Sequence, residues 1–474
     1  MARRPEGTRS SARITTLISS SYKCAAVQYG DASWRFFLRD GRTGDRSMAT
    51  AATASRILAA TRLLLFAACA VLIGGAEAEP WRGHGGGGTC FTRLFSFGDS
   101  ITDNGNWMHY ARSPGAVARP PYGETFFRRP NGRFCDGRII IDHIGTFTLL
   151  PVPTRRRRRG VYIRADVHRC WCHACTYVVG AADALGIPFL TPYLAGNKSE
   201  DFAHGANFAV GGATALGRGY FRRKKLDARF TPYSLRWQMR WLKKVLVMVS
   251  PEQGTEWSDL MASSLFLLGE IGGNDYNQAL FQGRSVDEVK TYVPDVVAGI
   301  SAALTELIGL GARTVVVPGN FPTGCNPGYL AQFQTNDTAQ YDSMGCLQWP
   351  NDLSELHNRA LRAELAVVRR RYPGVTLVYG DYYAAAMDIT ADPRKHGFGG
   401  APLVSCCGGG GPYNTNLTAH CGATTSTTCR HPYEAVSWDG FHFTDHAYQV
   451  IADGVLRGVK LALTRYPLGL SVTC

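Results

Sequence analysis

No Gly-x-Ser-x-Gly pentapeptide occurs in this chain of 474 residues. The His84-Gly-Gly-Gly-Gly88 stretch therefore lacks the serine elbow that a His-Gly-Gly-Gly oxyanion element would serve, and it reads as a flexible leader. Long apolar runs are missing too. Leu63 to Ile73 is an apolar core of eleven residues, short of the ~20 that a membrane helix needs. No extended apolar lid is visible, which argues against action on triacylglycerol at an oil surface. No cysteine sits on a strand-end turn beside a placed histidine, so cysteine catalysis is a poor rival. Gly408 to Gly411 lacks the strand-then-helix context of a phosphate loop and reads as a loop near a site mouth. His168, Cys170, Cys172, His173 and Cys175 lack the two separated pairs of a structural zinc site. No metal or organic cofactor is called for.

One sign of charge is in excess, but not in the body of the protein. The net charge is +14, which invites a nucleic-acid reading. Residues 1–47 hold nine Lys/Arg against four Asp/Glu, and residues 145–181 hold seven Arg against one Asp. With these and residues 48–78 set aside, the remainder lies within about two charges of neutrality. Nucleic acid is thereby excluded as a partner.

What is present is a serine on a tight turn. In Phe95-Ser-Phe-Gly-Asp-Ser-Ile-Thr-Asp-Asn-Gly-Asn106, Leu94 to Phe97 reads as a buried strand, Gly98 ends it, and Ser100 falls on the turn beyond. Open α/β sheets place their ligands at that edge. Far downstream, Trp438-Asp-Gly-Phe-His-Phe-Thr444 sets Asp439 and His442 three apart, ahead of an amphipathic helix over roughly 445–463 that Thr444 can cap. A serine hydroxyl needs an imidazole to take its proton, and the imidazole needs a carboxylate to fix its tautomer. Between them, Leu265 to Asp275 is an apolar strand running into Gly272, Gly273 and Asn274, whose amide can donate to an oxyanion. Gly205 to Ala213 adds Gly212, whose backbone N–H could serve the same oxygen.

In this order, the nucleophile, glycine, Gly-x-Asn-Asp and Asp-x-x-His blocks resemble the plant GDSL esterase/lipase family of the SGNH hydrolase superfamily. Flanking segments agree, among them Pro120-Pro-Tyr-Gly-Glu-Thr-Phe126, Arg133 to Asp142, Val317 to Cys325 and Cys406 to Asn414. The resemblance covers roughly residues 89–144 and 182–465. It implies Ser100 as nucleophile, His442 as base and Asp439 as its orienter. The implied oxyanion donors are the Ser100 N–H, the Gly212 N–H and the Asn274 side chain, with Gly211 and Gly205 as neighbours that could be confused with Gly212. Asp99, Asn207 and Asp275 are implied in support. Ile101 stands where the family name has Leu, a swap of similar volume.

Two segments fall outside the resemblance. Met48 offers a second start; Arg56, Arg62, the Leu63–Ile73 core and Ala76-Glu-Ala78 make residues 48–78 a signal peptide. Residues 1–47 are then a gene-model artefact and the protein is secreted, extracellular or in the cell wall. Use of Met1 would instead allow organelle targeting. Residues 145–181 interrupt what should be one helix, running from Ile139–Ile144 into Ala182–Leu185, as a retained intron or mispredicted exon would. Secretion makes disulfides expected. Cys325 with Cys346 is one pair, and Cys406, Cys407, Cys421 and Cys429 supply others whose connectivity spacing does not fix. Asn197, Asn336 and Asn416 lie in glycosylation sequons.

Arg313–Pro318 and Val375–Tyr379 read as further parallel strands, each preceded by a helix (293–310 and 353–372). That alternation predicts an α/β fold, a three-layer α/β/α sandwich with a mainly parallel sheet, in one domain over 79–474. The expected activity is hydrolysis of carboxylic esters, short-chain acyl or acetyl esters of glycans, sugars or specialised metabolites, through an acyl-enzyme. An acyltransferase using the same serine and a catalytically silent glycan-binding protein are the alternatives. A monomer without a membrane span is expected.

Overall fold

The computed structural model describes residues 91–145, 186–228, 230–250 and 255–465, with the backbone of three strands nearer the N-terminus. Those strands, β1 (Ile14–Ser19), β2 (Tyr22–Tyr29) and β3 (Ser33–Asp40), form an antiparallel meander that the sequence reading did not foresee. They belong to a unit that ends at Gly85, and a second unit begins at Gly86. The signal segment 48–78 and residues 146–185 lie outside the described residues.

The second unit is built on five strands: β4 (Arg93–Phe97), β5 (Gly205–Asn207), β6 (Ser264–Leu268), β7 (Thr314–Pro318) and β8 (Thr376–Gly380). Their order is β5-β4-β6-β7-β8, and every neighbouring pair is parallel. Both sheet faces are covered, which is why the central strands β6 (SLFLL) and β7 (TVVVP) are nearly continuous apolar runs. Alternate residues nonetheless enter different cores. Phe95, Phe97, Phe266, Leu268, Val315 and Val317 face one, while Leu94, Leu265, Leu267 and Val316 face the other. Phe95 stacks on Phe266 at 5.4 Å, and burying such a ring contributes ~1.5–3 kcal/mol.

The helices that concern the site are α1 (Ile140–Gly145), α2 (Leu235–Val249), α3 (Gly273–Leu280), α4 (Val293–Gly309), α5 (Gln348–Arg371), α6 (Tyr382–Ala391) and α7 (Asp445–Arg465). α2, α4 and α5 bury their apolar stripes in the core that holds Phe95; α1, α6 and α7 bury theirs in the core that holds Leu94. The result is the three-layer α/β/α sandwich. The stretch Val286–Gly309 is apolar and long enough to cross a membrane by composition, but Val296, Ile300, Leu304 and Leu307 are spent on the core. α5 starts at Gln348, five residues earlier than expected. Pro350 lies in its first turn, where a missing N–H costs no hydrogen bond.

Two features of connectivity place the site. β4 and β6 are adjacent, so the turns that follow them meet at one sheet edge. α7 packs on β8 and α1, which brings the loop before it to the same edge.

Candidate active site

Gly98 terminates β4 with φ +133°, and a side chain there would press on Thr102 Oγ1 at 2.7 Å and Glu270 O at 3.1 Å. Only glycine fits this close approach of two strand ends. The following residues wind into a turn in which the Thr102 and Asp103 N–H groups donate to Asp99 O. Ser100 stands on that turn. Its Oγ lies 2.8 Å from His442 Nε2, and His442 Nδ1 lies 2.8 Å from Asp439 Oδ2 and 3.0 Å from Oδ1. The Asp439 carboxylate also accepts the N–H groups of Phe441 and His442, at 3.0 and 2.9 Å. Burial alone would raise the Asp439 pKa; the charge and hydrogen bond of His442 outweigh it and hold the carboxyl below its ordinary 3.8. The aspartate therefore stays ionised against the imidazole.

The loop carrying Asp439 and His442 is anchored by the cysteine segment. Cys406 and Cys407 donate their N–H groups to Ser437 O and Trp438 O, and the disulfides run Cys406–Cys429 and Cys407–Cys421. Cys325 pairs with Cys346, and Cys135 is a buried free thiol.

The three expected oxyanion groups line one cavity with Ser100 and His442. Gly211 donates its N–H to Asp103 Oδ2 at 2.7 Å. That leaves Gly212, rather than Gly211, with an N–H that has no partner among the described residues. Asn274 is less free than expected. Its Nδ2 donates to Asp99 Oδ2 at 2.7 Å and to Ala213 O at 3.1 Å, so both amide protons are engaged. Donation to an oxyanion requires the longer bond, to Ala213, to be shared or released. Asp275 accepts the N–H groups of Ala215 and Leu216 and so ties the glycine segment to α3. Asn207 donates to Thr102 O and accepts from the Ala209 N–H, linking β5 to the turn that carries Ser100.

A family model for GDSL-like lipase/acylhydrolase matches residues 94–455 of this chain. The chain belongs to that family. A GDSL esterase/lipase of Arabidopsis thaliana is 40% identical over 371 residues, spanning 78% of this chain and 84% of its own. A second from the same plant is 41% identical over 372 residues, with the same shares. The sinapine esterase of Brassica napus is 37% identical over 401 residues, spanning 84% of this chain and 91% of its own. The protein is a carboxylic ester hydrolase of the plant GDSL group.

Three residues of the GDSL site were given no role by the sequence reading, although Tyr122 and Glu270 lie inside segments that it singled out. Tyr122 donates its O–H to Asp439 Oδ2 at 2.8 Å, giving the carboxylate a partner besides the imidazole. Gln238, buried on α2, clamps Gly98 by accepting its N–H at 2.9 Å and donating to its C=O at 2.8 Å. Glu270 lies against Asp99 beneath the cleft. The aromatic residue in Arg133-Phe134-Cys135 was noted only as part of a motif; its ring packs on His442 at 4.9 Å.

The GDSL cavity measures about 390 Å³. Its walls are apolar and aromatic, with Trp107, Phe134, Phe281, Phe321 and Phe441 facing a few polar groups such as Asn277 and Asn326. Among the described residues, no group of three His, Cys, Asp or Glu side chains is arranged to hold a metal ion. The cysteine- and histidine-rich run 168–175 lies outside them. Asn197, Asn336 and Asn416 are all exposed.

Proposed function

We propose that the protein is a secreted serine esterase that hydrolyses short-chain acyl or acetyl esters of glycans, sugars or specialised metabolites through an acyl-enzyme. The observation that carries this reading is the 2.8 Å contact between Ser100 Oγ and His442 Nε2, continued to Asp439 on the far side of the ring. Ser100 attacks the ester carbonyl and its proton passes to His442, which Asp439 keeps in the accepting tautomer. The tetrahedral oxyanion is held by the N–H groups of Ser100 and Gly212 and by the Asn274 amide. His442 protonates the departing alcohol, and water then repeats the sequence on the acyl group.

A compact cavity with aromatic walls supports a small ester over a long-chain glyceride. The likeness to sinapine esterase supports the specialised-metabolite part of the range. Three disulfides and three exposed sequons support secretion and glycosylation at Asn197, Asn336 and Asn416.

The test is turnover of a panel of chromogenic esters of graded acyl length, O-acetylated xylan and phenolic esters by purified protein and by Ser100→Ala. Hydrolysis lost in Ser100→Ala supports the reading. A folded wild-type protein that turns over no ester would favour the glycan-binding alternative, and acyl transfer to added alcohols outpacing hydrolysis would favour the transferase.

A further inference from the structure

Beneath the cleft lies a pair of carboxyl groups that the reaction above does not use. Asp99 and Glu270 are only 3% and 4% exposed, they line the same cleft, and their carboxyl groups lie within hydrogen-bonding reach of each other. Asp99 immediately precedes the nucleophile, and Glu270 follows β6 by two residues, so the pairing of β4 with β6 forces them together. An ionised carboxylate has acceptors only. A bond between two carboxyls therefore requires a proton on one of them, and two charges in such contact cannot both persist.

The surroundings decide which group holds it. Asp99 accepts the Ile101 N–H at 3.0 Å and the Asn274 amide at 2.7 Å, and both bonds favour its anion. Glu270 has less support: the Gly273 N–H alone favours its anion, and its Oε1 is buried without a partner among the described residues. The titratable groups around it are Asp275 and Tyr276 of α3, Tyr329 of the helix Pro327–Gln332, Tyr382 of α6 and, across the Gly272–Gly273 turn, His357 of α5. Asp103 and His442 act on Asp99. None of these is a lysine or arginine that could hold a glutamate anion.

We propose that Glu270 is a positioning residue of the esterase, a neutral acid whose O–H donates to Asp99 and so fixes the Asn274 amide at the oxyanion side of the cleft. The part played in turnover rests on the serine-esterase reading, whereas the location of the proton does not. Burial, followed by the charge of Asp99, drives the Glu270 carboxyl well above its ordinary range, and burial lifts Asp99 to about 6. Loss of the Glu270 proton would put a second negative charge beneath the forming oxyanion. Turnover should then fall on the alkaline side.

Two measurements test this. Infrared difference spectra of wild type and Glu270→Gln at neutral pH should show a protonated-carboxyl C=O band that the variant lacks. Absence of that difference overturns the proposal, whatever the ester assays give. In pH profiles, Glu270→Gln can still donate to Asp99 but cannot ionise, so its kcat should stay within about tenfold of wild type and lose the alkaline decline. Glu270→Ala should lower kcat by about a further tenfold with KM little changed. Circular dichroism would confirm that both variants are folded. An alkaline limb unchanged in Glu270→Gln, or a wild-type kcat in Glu270→Ala, would rule out a part for this proton in turnover.

Discussion

Arg138 holds Asp445 at three points: its backbone N–H donates to Oδ2 at 2.6 Å, Nε to Oδ2 at 3.1 Å and Nη2 to Oδ1 at 2.9 Å. Asp445 opens α7 three residues past His442, so this pair fastens the catalytic loop to the chain that leads into α1. Both side chains are largely buried. Removing one partner of a buried pair strands the other charge and costs about 3–5 kcal/mol. Arg138→Ala should lower stability to that extent and depress kcat as the His442 loop loosens. Arg138→Lys keeps the charge but not the two-point geometry and should fall between. Urea unfolding beside ester assays checks both, and wild-type stability in Arg138→Ala would refute the anchoring role.

The same corner gives the fold a preference for mildly acidic pH. Burial would raise the Asp445 pKa, but the hydrogen bond and charge of His143, then Arg138, hold it far below 3.8. Its stabilisation is present above 3.8 and is lost only in strong acid. Asp136 behaves oppositely, pushed up to about 6 by burial and then by the charge of Asp445. Burial likewise lifts Asp275 to about 7. A raised value means that the fold holds the proton more tightly than the unfolded chain does. That stabilisation is complete below 3.8 and drains away as pH rises through 6 to 7. Urea unfolding should find the protein more stable at pH 5 than at pH 8, and Asp136→Asn should flatten that decline. Stability climbing steadily from 5 to 8 would contradict this.

Tyr122→Phe removes one donor to Asp439 while keeping the ring against Trp438 at 5.9 Å. A hydrogen bond to a charged group is worth about 1.5–3 kcal/mol, so kcat should drop by roughly tenfold or more with little change in KM. Asp439→Asn should fall much further, because the imidazole loses its orienting charge. Steady-state kinetics of the two variants would separate these effects; equal losses would mean that Tyr122 acts on more than the carboxylate.

The readability of the site followed sequence distance. Ser100 was legible because strand, Gly98 and turn are contiguous, and the Asp439–His442 pair because both members share one loop. Tyr122 and Gln238 were not, since their partners lie 317 and 140 residues away and neither neighbourhood carries a local sign of the contact. Asn274 was read as a free donor because the acceptor that engages it, Asp99, is 175 residues upstream. Four of the five parallel strands were plain from their apolar runs, whereas β5, only Gly205–Asn207, was read as a glycine block and β1 to β3 were not read as strands. Spacing could not choose among pairings of Cys406, Cys407, Cys421 and Cys429. The choice follows from which strand ends the fold brings together.

The segment 145–181 should be dispensable. Gly145 C=O, at the end of α1, accepts the N–H of Ile187 at 2.6 Å, and Gly186 has φ +69°. A left-handed glycine followed by a residue whose N–H returns to the last helical turn is a Schellman cap. In a chain that joins Ile144 to Ala182, Ala182 would stand five residues before Ile187, the spacing that this cap requires. An added Cβ at Gly145 would meet its nearest neighbour, Ile187 O, at 3.4 Å, so alanine is tolerated there. Deleting 145–181 should give a protein at least as stable and as active as the long form, and transcript sequencing should find the shorter message. An inactive or unfolded deletion variant would show that the segment is integral.

The central claim is that Ser100 carries the acyl group. Wild-type protein mixed with an activated short-chain ester, quenched in acid within its first turnover and digested, should show the acyl mass on the peptide bearing Ser100 and nowhere else. Ser100→Ala should show none and should not turn over. An acyl group found on another side chain, or turnover that persists in Ser100→Ala, would contradict the account.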